Sequence, residues 1–231
     1  MNETLLALSV VVMFSMPVAW MRLFGKSGLF CWTAIATILA NIEVLVLVRA
    51  FGMEQTLGNV LFASTFLTTD IISEVYGREA ANRAVNIGVA SSAAFIIVSQ
   101  SWLMYTPSAG DWAFPSVRAI FSNTPRLVLA SLVVYAASQK LDVALYHMWW
   151  RLTARKTGDK ERFLWLRNNG STLISQLINA ALFNLGAFWG VYDARTLASI
   201  CVSTYVIYVF TSLLDTPFVY LARRVGARAG E

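Results

Sequence analysis

Apolar runs of about twenty residues, each long enough to cross a bilayer as a helix, alternate with short polar stretches along the whole chain. The pattern predicts seven helical spans, at roughly 4–22, 28–50, 57–76, 84–105, 125–150, 171–191 and 197–222. The first run does not read as a signal peptide, because its early charge is Glu3 and it leads directly into Arg22 and Lys26. The expected architecture is all-α and polytopic, one transmembrane domain over 1–231 with no internal repeat.

Composition agrees. Of 231 residues 57% are hydrophobic and 13% charged, where a soluble domain carries about 25%. No polar stretch is long enough to fold as a catalytic domain of its own. One alternate set of loops holds thirteen Lys and Arg (Arg22, Lys26, Arg78, Arg83, six between Arg151 and Arg167, and Arg223, Arg224, Arg228). The other set holds four (Arg49, Arg118, Arg126, Arg195). Positive charge marks the cytoplasmic side, so the N-terminus is expected outside and the C-terminus in the cytoplasm. The net charge of +5 then reflects membrane topology and calls for no nucleic-acid partner. Cys31 and Cys201 read as small buried apolar residues, and with His147 the single histidine, no metal or cofactor is expected. The outer stretch 106–125 carries Trp112, Phe114 and Phe121, which suit a bilayer interface. Asn123 or Thr124 before Pro125 reads as a helix N-cap. The inner stretch 151–169 reads as a basic cytoplasmic loop near anionic lipid.

Ionisable residues inside spans are costly, so each is a candidate functional residue. Here they are Glu43, Asp70, Glu74, Lys140, Asp142 and Asp215. Within TDIISEVYG (69–77), Asp70 and Glu74 fall on one helical face, and Glu74 lies one turn from Arg78, so it reads equally as an interfacial cap partner. Asp70 precedes Arg78 by eight residues, Asp142 precedes Arg151 by nine and Asp215 precedes Arg223 by eight. All three should therefore lie about 12–14 Å from the cytoplasmic edge. Polar stripes accompany them: Tyr135, Gln139, Asp142 and Tyr146; Thr172, Gln176, Asn179 and Phe183; Tyr205, Tyr208, Ser212 and Asp215. Pro217 removes a backbone bond just past Asp215, and freed carbonyls in a span are tolerated where they face protein or a cavity. Lys140 is the candidate ion-pair partner for the excess of carboxylates, although it sits off the Asp142 stripe. One reading is a polar network that holds the helices together. The other is a mid-membrane cavity for a small polar solute, where carboxylates accept paired N–H groups, amides complete the edge and aromatics stack.

Four segments carry a family likeness: TDIISEVYG (69–77), TPRLVLASLVVYAASQKLDVALYH (124–147), WLRNNGSTLISQLINAALFNLGAF (165–188) and LLDTPFVYLARR (213–224). In this order they resemble the queuosine precursor transporter family, part of a vitamin-uptake group related to energy-coupling-factor substrate-binding subunits. The resemblance covers about residues 28–225. It implies uptake of a 7-deazaguanine such as 7-cyano-7-deazaguanine across the inner membrane of a bacterial or archaeal cell, for tRNA modification. Family motifs match at Asn41, Asp70, Glu74, Gln139, Asp142, Ser171, Gln176, Asn179 and Asp215. Asp70, Asp142 and Gln139 would bind the base edge, Gln176 and Asn179 would complete it, and Tyr135 or Phe183 would stack. Two features depart from the pattern. Tyr208 stands about where relatives place a Lys, and residues 1–25 look like a helix added to a six-helix core over 26–225. An ATP-driven energy-coupling-factor subunit is the alternative function, with Ala36-x-x-x-Ala40 as a small-residue helix contact. A homodimer is compatible with the pattern. An intramembrane hydrolase would need a nucleophile or metal that the sequence does not offer, so no enzyme activity is expected.

Overall fold

Two glycines set how the longest apolar stretches fold. In the computed structural model, which describes residues 1–122, 125–159, 162–190 and 193–229, α1 (Asn2–Glu43) breaks at Gly25 and α2 (Gly58–Trp102) breaks at Gly77. Gly25 has φ 58° and ψ −141°, and Gly77 has φ 82° and ψ 176°; side chains with a Cβ rarely adopt either conformation. The chain doubles back at both. Across the Gly25 turn, Trp20 packs on Trp32 at 6.1 Å, while at the far end Asn2 donates to the Arg49 carbonyl at 2.9 Å. Gly28 lies so close to Trp20 that a Cβ would run into its carbonyl oxygen. Gly28→Ala should cost about 1–3 kcal/mol of overpacking, read as a lower melting temperature in detergent.

The remaining elements are a hairpin of β1 (Leu47–Ala50) and β2 (Met53–Thr56), a short α3 (Phe114–Phe121), then α4 (Pro125–Thr157), α5 (Leu164–Phe188) and α6 (Ala194–Ala229). Asp111 accepts the backbone N–H groups of Ala113 and Phe114 at the start of α3. Asp193 does the same for α6, accepting the Thr196 hydroxyl at 2.6 Å and the N–H groups of Thr196 and Arg195. These bonds hold its carboxyl below the usual carboxylate range.

Several boundaries differ from expectation: α4 runs on to Thr157 and α6 to Ala229, and two differences matter more. The second span ends at Glu43, not near residue 50, because residues 47–56 turn into an antiparallel hairpin. Its two-residue loop, Phe51-Gly52, has positive φ at both positions, the turn that matches strand twist. α5 starts at Leu164, seven residues before the expected 171, which draws Arg167, Asn168 and Asn169 out of the presumed loop and into the bundle. With Arg167 buried, the charge asymmetry becomes twelve against four. Cys31 is exposed on a helix face instead of buried. α4 does begin at Pro125, while Asn123, Thr124 and the loop residue Lys160 lie outside the described residues.

Contacts between helices give their relative directions. Gln139 of α4 meets Thr65 and Thr69 of α2, and Tyr146 meets Glu74, so α4 runs parallel to the first arm of α2. α5 runs against both, since Arg167 meets Glu74 while Asn179 meets Ser138. α6 reverses again, placing Asp215 at Asn168 and Ser212 at Asn169. The main core joins Phe14, Val18 and Met21 of α1 to Leu67, Ile71 and Ile72 of α2, Val143 and Tyr146 of α4, and Val219 and Ala222 of α6. The first arm of α1 is thus part of the core, with Phe14 edge-on to Phe218 at 5.7 Å. Ala36 and Ala40 pack within the chain against Trp32, Leu61, Met13 and Trp20, so this small-residue contact is an internal one. Outer helix faces expose Leu8, Leu23, Ile97, Val133, Val202 and Phe210. Among the described residues, three helical stretches, Asn2–Glu43, Gly58–Trp102 and Ala194–Gly226, are long and apolar enough to cross a membrane.

Candidate functional site

The polar stripes of α2, α4, α5 and α6 meet in the interior at three levels, each about one helical turn from the next. At the middle level are the three aspartates, all buried. The carboxyls of Asp70 and Asp142 face each other, close enough to interact. Thr172 donates to Asp70 Oδ2 at 3.1 Å and Ser175 donates to Asp142 Oδ1 at 2.7 Å. Asp215 accepts from Asn168 Nδ2 at 2.7 Å and lies close enough to the other two to interact electrostatically. Gln139 is held between Thr65, to which it donates at 2.8 Å, and Thr69, from which it accepts at 3.0 Å. Asn169 donates to Thr216 and accepts from Ser212. Two carboxyls buried in contact either share a proton or enclose a donor-bearing ligand.

One turn toward the hairpin end, three aromatic rings cover this level. Phe62 packs on Tyr135 at 6.0 Å and on Tyr208 at 6.1 Å. The Tyr135 hydroxyl faces Thr37, while Asn179 accepts from Ser138 and contacts the Tyr208 hydroxyl. Tyr135 and Tyr208 stand four residues before Gln139 and Ser212, so helix geometry places them over the same column.

One turn the other way is an ionic floor. Arg167 donates to Glu74 through Nη2 at 2.6 Å and Nε at 2.9 Å, a bidentate pair with both side chains buried. The Tyr146 hydroxyl donates to Glu74 Oε2 at 2.7 Å, Arg223 approaches Oε1 at 3.7 Å, and the Trp150 ring lies 4.4 Å from the Arg167 guanidinium. These contacts tie α2, α4, α5 and α6 together between the aspartates and the Gly77 turn.

The structure thus gathers Asp70, Gln139, Asp142, Gln176, Asn179 and Asp215 into one column with Tyr135 at its cap, all of them buried. Phe183 is half-buried further along α5. Glu74 belongs to the floor. Asn41 stands apart, donating to the Thr37 carbonyl at 2.7 Å and lining a small cleft with Phe95, Gln100 and Phe121. Lys140 is also turned away, donating to the Asn82 carbonyl at 3.2 Å instead of meeting an aspartate. Sequence reasoning missed Arg167, Asn168, Asn169, Ser175, Thr65, Thr69 and Phe62. A signal existed on α5: Asn168, Thr172 and Gln176, and beside them Arg167, Ser171 and Ser175, repeat every fourth residue and carry the stripe upstream of 171.

A family profile described as "Putative vitamin uptake transporter" matches residues 56–222, from the end of β2 through α6. A Bacillus subtilis (strain 168) protein named "Probable queuosine precursor transporter" is 35% identical over 224 residues, covering 97% of this chain and 96% of the relative. No solved structure matches the chain.

Proposed function

The chain belongs to the queuosine precursor transporter family of vitamin uptake transporters, and from that premise we propose that it carries a 7-deazaguanine, such as 7-cyano-7-deazaguanine, inward across the inner membrane to supply tRNA modification. The observation that carries the reading is the buried column of carboxylates and amides beneath three aromatic rings. A carboxylate accepts two parallel N–H bonds, which is what the edge of a guanine-like base offers. Asp70 and Asp142, with Gln139 beside them, are placed to take that edge; Gln176 and Asn179 complete it, and Tyr135 stacks on the ring.

The seven long helical arms, two each from α1 and α2 plus α4, α5 and α6, are taken as seven crossings. Their alternating directions and the charge count support an outer N-terminus and a cytoplasmic C-terminus. In that frame the aromatic level faces outward and the Arg167–Glu74 floor faces the cytoplasm. Cargo enters past Phe62 and Tyr208 and leaves when the floor parts, so that the site opens to one side at a time.

The test is rescue. A bacterial strain that neither makes nor imports the precursor, given this chain and a low concentration of 7-cyano-7-deazaguanine, should regain queuosine in its tRNA. Failure of a well-expressed chain with every 7-deazaguanine supplied would sink the reading. Co-purification with an ATPase and its membrane coupling subunit would move it to the energy-coupling-factor class.

A further inference from the structure

The buried ring above Gln139 rests on a gap in another helix. Tyr135 stands four residues before Gln139 on α4, edge-on to Phe62 at 6.0 Å, and its hydroxyl end reaches across to the second arm of α2 at Gly88. Gly88 is buried inside a regular stretch of that arm and does not have the positive φ of Gly77. Its backbone therefore gives no reason for a glycine, and in a helix interior glycine is less stable than alanine. The space around it does. A Cβ at Gly88 would run into the Tyr135 hydroxyl oxygen, with the ring's Cζ at 3.1 Å and Cε1 at 3.2 Å, and these are the three nearest atoms.

The hydroxyl is unusual as well. It faces Thr37 on the second arm of α1, yet among the described residues it meets no hydrogen-bond partner although it is buried. The polar groups nearby are engaged elsewhere: the Thr37 hydroxyl donates to the Thr33 and Ala34 carbonyls, and Asn41 donates to the Thr37 carbonyl and to Ser92. Shape, and not a bond, holds the far end of the ring. Phenylalanine would fill the same place without stranding a hydroxyl. One contact thus carries two local costs, and such costs gather where a fold gives way to function. We propose that Gly88 is the positioning residue for Tyr135: its missing side chain seats the hydroxyl, and the seat sets how far the ring stands above the Gln139 level where the cargo lies. A side chain at 88 would drive the ring toward Phe62 and into the cargo's place. This rests on the deazaguanine reading above.

The experiment is a cycle of the unaltered chain, Gly88→Ala, Tyr135→Phe and the double variant. Initial uptake of 7-cyano-7-deazaguanine is measured against its concentration, at matched amounts of protein, in the strain that neither makes nor imports the precursor. Melting temperatures are taken in detergent. Gly88→Ala should raise KM about tenfold where Tyr135 is present, the order of one base–aromatic stack, and less than about threefold in the Tyr135→Phe background, where the colliding oxygen is gone. It should lower the melting temperature less than half as much in that background. Equal KM factors in the two backgrounds, or a Gly88→Ala chain whose uptake falls only with its amount, would overturn the inference and leave the deazaguanine reading standing. Should Gly88→Ala not accumulate, a double variant that does accumulate supports the seat, and one that does not overturns it. An unaltered chain that takes up no 7-deazaguanine would take away the deazaguanine reading, and the melting temperatures would then decide the seat alone: equal losses in both backgrounds overturn it.

Discussion

Arg167→Leu should yield a chain that loses about 3–5 kcal/mol of stability, enough to deplete the folded, detergent-stable fraction. The guanidinium is fully buried and fills both oxygens of Glu74, so its removal strands a carboxylate whose remaining partners are the Tyr146 hydroxyl and Arg223 at 3.7 Å. Breaking one side of a buried pair costs more than the pair itself is worth, because the surviving charge stays desolvated. The same logic forecasts the rescue: Arg167→Leu combined with Glu74→Leu should recover most of the loss. Arg167→Lys should fall between, since an ammonium cannot bond both oxygens as a planar fork or lie flat on Trp150. Thermal unfolding of the four proteins in one detergent decides the matter. A double variant no better than Arg167→Leu would mean that Arg167 stabilises the bundle through Trp150 and the Arg162 carbonyl, not through Glu74.

Asp142→Asn should separate stability from transport. The amide keeps the oxygen that accepts from Ser175, and its NH₂ can donate to the Asp70 carboxyl it faces. A contact between two buried carboxyls, which needs a shared proton to be favourable, becomes one with a built-in donor, so the melting temperature should hold or rise. Uptake should fall by about 10- to 100-fold, the consequence of losing a charged acceptor in a buried site, where such bonds are worth about 1.5–3 kcal/mol. Sites that lose activity and gain stability on neutral substitution are ones where the fold tolerates strain for function. Uptake within twofold of the unaltered chain, at matched expression, would remove Asp142 from the cargo's path.

Hydropathy carried the helices well because a bilayer-length apolar run has few alternatives, and the polar stripes were legible because their period is that of a helix. From one spacing argument three aspartates could be set at a common depth, and the structure brings them together. What escaped was whatever depended on a distant partner. Val46, Leu47 and Val48 extend the apolar run, yet they leave the helix because Gly52 and the positive φ of Phe51 let the chain fold back into a hairpin. Arg167 looked like a loop charge, since hydropathy treats arginine as a boundary; the charge that answers it is Glu74, 93 residues earlier. Lys140 failed in the opposite sense. The nearest carboxylate in sequence is Asp142, but two residues along a helix turn a side chain by about 200°, and Lys140 points to Asn82.

The 93-residue gap between Glu74 and Arg167 also has a consequence for biogenesis. At ribosomal speeds of about 5–20 residues per second, the carboxylate is complete roughly 5–20 s before its guanidinium exists. Through that interval the nascent α2 holds an unanswered charge three residues before its turn at Gly77, and water at the membrane edge is its available solvent. The four helices therefore cannot lock in order of emergence. The bundle stays unlatched until α5 is made, and closes as a late, single event.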